Sequence, residues 1–112
     1  MTGTCVISLT DADFDREVLQ DPLPVLVDFY SDTCQPCKAA APVLEQLCTE
    51  RAGELKVVKA NIEHCRQAAR RHNLGAVPTF VLYRNGKILG ATSGFQARTV
   101  FTNWIMGLLS KP

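Results

Sequence analysis

The chain has 112 residues, 46% of them apolar, enough for a single domain around one core. Twelve basic residues against eleven acidic ones leave a formal charge of +1, so no net field draws it to nucleic acid or an anionic membrane. No stretch of about 18 apolar residues occurs, and the first thirty residues lack the basic, apolar and small-residue succession of a leader, so the expected location is the cytoplasm.

"CVISL" alternates weakly and suits a short edge strand. "TDADFDREVLQ" follows as a helix: Thr10 serves as N-cap, Asp11 and Asp13 occupy the first turn, and Phe14, Val18 and Leu19 recur at helical spacing. "DPLP" ends it. "VLVDFY" is a continuous β-rich run, as in a strand buried on both faces. From Cys34 to Arg51 a helix presents Ala40, Val43, Leu44, Leu47 and Cys48 on one side, with Pro42 expected to remove one backbone hydrogen bond and kink it. "LKVVKANI" reads as a second buried strand, and "EHCRQAARRHNL" as a short helix stopped by Gly75. "PTFVLY", "RNG" and "KILGAT" form a hairpin, because Asn85-Gly86 accepts the positive φ of a tight turn. "ARTVFTNWIMGLL" closes the chain as an amphipathic helix. Strands alternating with helices, then a hairpin, predict a three-layer α/β domain with an antiparallel edge.

"SDTCQPCK" sits where the strand "VLVDFY" meets its helix, the position at which open α/β sheets place their sites. Cysteines three apart on a first helical turn have Cα atoms about 5–6 Å apart, within disulfide range. Unpaired backbone N–H groups and the positive end of the helix dipole favour a thiolate there. Cys34 is therefore expected to be the exposed nucleophile, and Cys37, one turn in, the buried resolving thiol. Pro36 costs no hydrogen bond in the first turn and stiffens the loop. A metal site would need about four ligands, and only Cys48, His64, Cys65 and His72 could complete one. Cys48 stands eleven residues beyond Cys37, about 16 Å along the helix, too far to share an ion or a disulfide with it, and is expected in the core. Single cysteines such as Cys5, Cys48 and Cys65 are more often small buried hydrophobes. Asp28, in the middle of "VLVDFY", should have a raised pKa and could exchange the proton of Cys37, with Lys59 its natural counter-charge. Arg66, Arg70 and Arg71 read as a solvated helix face.

"VLVDFYSDTCQPCKAAAPVLEQL", "LKVVKANIE", "GAVPTFVLYRNGK" and the late glycine of "TSGF", in this order and spacing, resemble the thioredoxin family from about residue 5 to 109. The resemblance implies a thioredoxin fold: an α/β/α arrangement with a five-stranded mixed sheet and four helices, over residues 1–112 as one domain. It implies a cis bond before Pro78, with the Val77 backbone pairing with substrate and Gly94 lining the groove. Carried over, Cys34 matches the attacking cysteine, Cys37 the resolving one, Asp28 the buried acid, Lys59 its partner and Pro42 the kinking proline. The implied activity is reduction of protein disulfides by the CxxC dithiol. No cofactor or metal is needed beyond that couple, a thioredoxin-reductase-like protein donates electrons, and a monomer is expected. Thr33 and Gln35 stand where the family usually has tryptophan and glycine, and Tyr30 replaces another frequent tryptophan. Together with Pro36, Thr33 and Gln35 would edge the substrate site. Cys65 has no second cysteine seven residues on, where His72 stands, so an internal regulatory disulfide from Cys65 is not expected.

Overall fold

The structure is a computed structural model and describes residues 5–95 and 97–111. One five-stranded sheet, in the order β1-β3-β2-β4-β5, organises the chain. Its strands are β1 (Ile7–Leu9), β2 (Val25–Tyr30), β3 (Lys56–Asn61), β4 (Thr79–Arg84) and β5 (Lys87–Ser93). β1, β3 and β2 run parallel, and β4 and β5 join antiparallel, as the alternating pattern and the hairpin predict. The helices are α1 (Asp11–Phe14), continued by a wider π turn over Asp15–Leu19, α2 (Gln35–Glu50), α3 (Arg66–Arg71) and α4 (Arg98–Leu109).

The two-residue period of the strands sorts side chains to two faces. Leu26, Val57, Phe80 and Leu82 pack with Ala40, Leu44 and Leu47 of α2 and Phe101 and Ile105 of α4. Val25, Val27, Phe29, Val58, Val81 and Tyr83 pack on the opposite side with Phe14 of α1, Val18 and Ala68 of α3. Fully buried side chains such as Phe14, Phe29 and Phe80 stabilise the fold by roughly 1.5–3 kcal/mol each. By the same period Asp28 shares the α2 face with Leu26.

Local details follow sequence chemistry. Asp13 Oδ2 accepts hydrogen bonds from the Thr10 amide and hydroxyl at the start of α1, at 3.5 and 3.2 Å. Asn85 and Gly86, with φ of 53° and 77°, make the tight turn between β4 and β5. α2 runs unbroken across Pro42.

Two expectations are corrected. Helix α3 stops at Arg71, and the left-handed residue that turns the chain is Asn73 (φ 50°), not Gly75; asparagine tolerates that conformation better than most residues. Cys48 is not a lone core thiol but is disulfide-bonded to Cys5, with Cα atoms 5.9 Å apart. Cys5 lies just before β1, and packing of α2 across the sheet brings the two together. Spacing along α2 correctly separates Cys48 from Cys37 but says nothing about a residue 43 positions earlier.

Candidate active site

β2 ends at Tyr30, and the chain turns through residues 31–34 into α2. Cys34 is the N-cap, in extended backbone (φ −88°, ψ 113°), with Pro36 in the first turn. Cys34 and Cys37 are disulfide-bonded, with Cα atoms 5.2 Å apart, within the range their spacing predicts. The Cys37 amide donates to Cys34 Sγ at 3.1 Å, one of the orphan N–H groups of a helix start turned on the sulfur. The expected contrast in exposure is slight: Cys34 is 8% exposed and Cys37 5%. With the sulfurs joined, both are covered, and position on the helix rather than accessibility separates them. Thr33, Gln35 and Pro36 are exposed around the pair.

Behind the pair a cavity of 150 Å³ is lined by Asp28, Tyr30, Asp32, Cys37, Lys38 and Lys59 among others. Asp28 is 4% exposed, and its Oδ1 has no hydrogen-bond partner among the described residues. Burial pushes its carboxyl up to about 7, and the charge of Lys59 opposes this only in part. Asp28 and Lys59 are register partners on adjacent parallel strands. No ion pair joins them among the described residues; the Lys59 ammonium lies 5.9 Å from the Tyr30 ring centre. A carboxyl near neutrality, open to the cavity that Cys37 lines, can accept or return a proton at physiological pH.

Antiparallel pairing brings the start of β4 beside the end of β2, through Phe29 and Thr79. The Val77–Pro78 bond is cis. The Gly94 amide donates to the Pro78 carbonyl at 2.8 Å, which sets Gly94 beside the Val77–Pro78 turn. Gly94 has φ of 82°, and an added Cβ would meet nothing within 4 Å, so backbone conformation rather than space requires glycine there. The sequence-predicted residues thus gather at one end of the sheet.

The alternative metal ligands do not. Among the described residues no group of three or more His, Cys, Asp or Glu side chains could hold an ion. Cys65 is fully buried, its thiol donates to the Leu9 carbonyl at 3.1 Å, and burial pushes it up to about 11. His72 instead bonds Ala68 O through Nδ1 at 2.6 Å and the Tyr83 hydroxyl through Nε2. The tie from Asn61 Nδ2 to Asp32 Oδ1 at 3.2 Å, which braces the loop after β2, has no signature in a single sequence.

The family model described as Thioredoxin matches residues 5–107. Thioredoxin C-2 of Corynebacterium nephridii is 36% identical over 100 residues, covering 89% of this chain and 93% of its own. Thioredoxin of Haemophilus influenzae is 35% identical over 100 residues, covering 89% and 94%. Thioredoxin of Mycobacterium tuberculosis is 41% identical over 92 residues, 79% of each chain. With that match along most of its length, a five-stranded mixed sheet and a disulfide at the strand–helix junction, the chain belongs to the thioredoxin family and is a thiol-disulfide oxidoreductase.

Proposed function

We propose that the chain acts in the cytoplasm as a single-domain monomer over residues 1–112, a dithiol donor to protein disulfides in which Cys34 attacks and Cys37 resolves. The Cys34 thiolate attacks one sulfur of a substrate disulfide; the other leaves as a thiolate and takes a proton. Cys37 passes its proton to Asp28, directly or through water in the shared cavity, and its thiolate attacks Cys34. That step releases the second substrate thiol and leaves the Cys34–Cys37 disulfide. Two electrons have moved from the CxxC pair to the substrate. A thioredoxin-reductase-like protein returns them, and no cofactor beyond the couple takes part.

The observation that carries this reading is the cavity that joins Asp28, raised to about 7, to Cys37 at the redox pair. Lys59 tunes the acid. Val77, cis-Pro78 and Gly94 would offer backbone to an extended substrate peptide beside a rim of Thr33, Gln35 and Pro36. The exposed hydroxyl and amide at Thr33 and Gln35 make this rim more polar than the family's usual tryptophan and glycine, so substrate choice is where the chain should differ from its relatives.

Trapping tests the roles: Cys37→Ser should accumulate mixed disulfides with target proteins, and Cys34→Ser none. Equal trapping by both variants would overturn the assignment. A non-catalytic binding module of the same fold is separated by insulin reduction with dithiothreitol, which such a module would not accelerate.

A further inference from the structure

The proposed reaction uses one of two disulfides. The second, Cys5–Cys48, joins the residue chain just before β1 to the last turn of α2, and Cys37 and Cys48 stand at opposite ends of that helix. Eleven residues at 1.5 Å each put about 16 Å between them, so no thiolate of the CxxC pair reaches Cys48 within one molecule. Exchange at Cys5–Cys48 must come from outside.

The two pairs sit in opposite surroundings. At the start of α2 the Cys37 amide points at Cys34 Sγ, and the positive end of the helix favours the thiolate that reduction creates. At the other end Glu45, three residues before Cys48 on the same face, accepts from the Cys5 amide at 3.0 Å and the Val6 amide at 3.3 Å. Its carboxylate sets a negative charge beside Cys5 and opposes a thiolate there. Those two hydrogen bonds also hold Cys5 against α2 independently of the covalent bond, so the opened thiols would stay close and re-form it readily. Cys48 is 6% exposed among Leu44, Leu47 and Leu55, whereas Cys5 is half-buried, the more accessible residue of the two.

We propose that Cys5–Cys48 is a second thiol-disulfide couple, a redox modification site that stays closed through turnover of the CxxC pair and opens only to a stronger dithiol reductant. Opening begins with attack of the reductant's thiolate on Cys5 Sγ. Cys48 leaves as a thiolate and takes a proton. The reductant's second thiol then attacks the mixed disulfide, freeing Cys5 and leaving the reductant as a disulfide, two electrons in all. A reduced CxxC dithiol of a second copy of this chain belongs to the same class of reagent, but the ordering makes it a weak donor to this site. The bond closes a loop that contains β1, α1, β2 and most of α2, so its state sets how firmly the active-site helix is tied to the sheet edge.

The test is stepwise reduction of the full chain, first oxidised with glutathione disulfide. It is equilibrated at rising ratios of reduced to oxidised dithiothreitol, alkylated and mapped by peptide mass. The expected result is two steps: Cys34 and Cys37 become alkylated first, and Cys5 and Cys48 only at a ratio at least tenfold higher, which corresponds to about 30 mV for a two-electron couple. The melting temperature should fall by roughly 10 °C or more across the second step, and by less across the first, because the Cys5–Cys48 bond closes much the longer loop. Alkylation of Cys5 and Cys48 straight after oxidation, or in the same step as the CxxC pair, would overturn the proposal. So would a Cys5→Ser/Cys48→Ser double variant that melts at the temperature of the oxidised wild type.

Discussion

Each face of the sheet buries polar side chains, and the two faces treat them differently. On the α2 side Asp28 is 4% exposed with Oδ1 unpaired, its carboxyl raised to about 7 and open to a cavity. On the α3 side Tyr83 donates to His72 Nε2, and His72 Nδ1 donates in turn to Ala68 O at 2.6 Å, ringed by Phe14 and Phe29. Burial there holds the phenol proton well above its ordinary range. The closed chain anchors α3 to the sheet and has no free valence for chemistry. The open carboxyl destabilises the fold and is left able to gain or lose a proton. A buried polar group with every partner supplied braces the core; one left short beside a redox pair is suited to reaction.

Substitutions can break this contrast. Asp28→Asn should have the largest effect on stability, and in the stabilising direction. The folded state holds the Asp28 proton up to about pH 7, whereas the unfolded chain releases it near 3.8, so wild-type stability falls as pH rises through that window. The variant should gain up to about 4 kcal/mol above pH 7 and nothing below pH 3 by denaturant melts, while insulin reduction near neutral pH slows. A variant no more stable than wild type at pH 8 would mean the carboxylate is already well satisfied. Tyr83→Phe should do the reverse: losing the hydrogen bond to half-buried His72 costs about 0.5–1.5 kcal/mol, with turnover unchanged. A turnover loss in Tyr83→Phe would break the division between bracing and reacting groups. Lys59→Gln should have the smallest effect. It removes the charge that partly offsets burial, so the midpoint of the Asp28-dependent pH profile should move to higher pH, read from carboxyl chemical shifts against pH.

Much of this was legible in the sequence because the signals were local. The strand–helix junction, the CxxC spacing, the hairpin at Asn85-Gly86 and a carboxylate inside an apolar run each announce themselves within a few residues. The resemblance added the cis bond before Pro78 and the place of Gly94. What escaped was long-range. Cys5 and Cys48 meet only once α2 has packed across the sheet, and Glu45 reaches the Cys5 amide over 40 positions. His72 meets Tyr83 because α3 folds back on β4, although neither residue stands out in its own segment. Gly75 is the usual kind of helix terminator, but Asn73 takes the left-handed turn two residues earlier, and nothing local in the sequence ranks the two.

Helix α3 shows what such distant ties do to the order of events in folding. Six residues are too few to hold a helix in water, and its N-cap, Cys65, supplies no side-chain bond. The opening amides of Gln67 and Ala68 are instead met by the two carboxylate oxygens of Asp11, each at 3.1 Å and more than fifty residues away in the chain. The segment after β3 therefore becomes helical only when the corner between β1 and α1 has docked, and it frays whenever that corner lifts. The two behave as one cooperative unit, opening and closing together on the flank of the sheet opposite the redox helix.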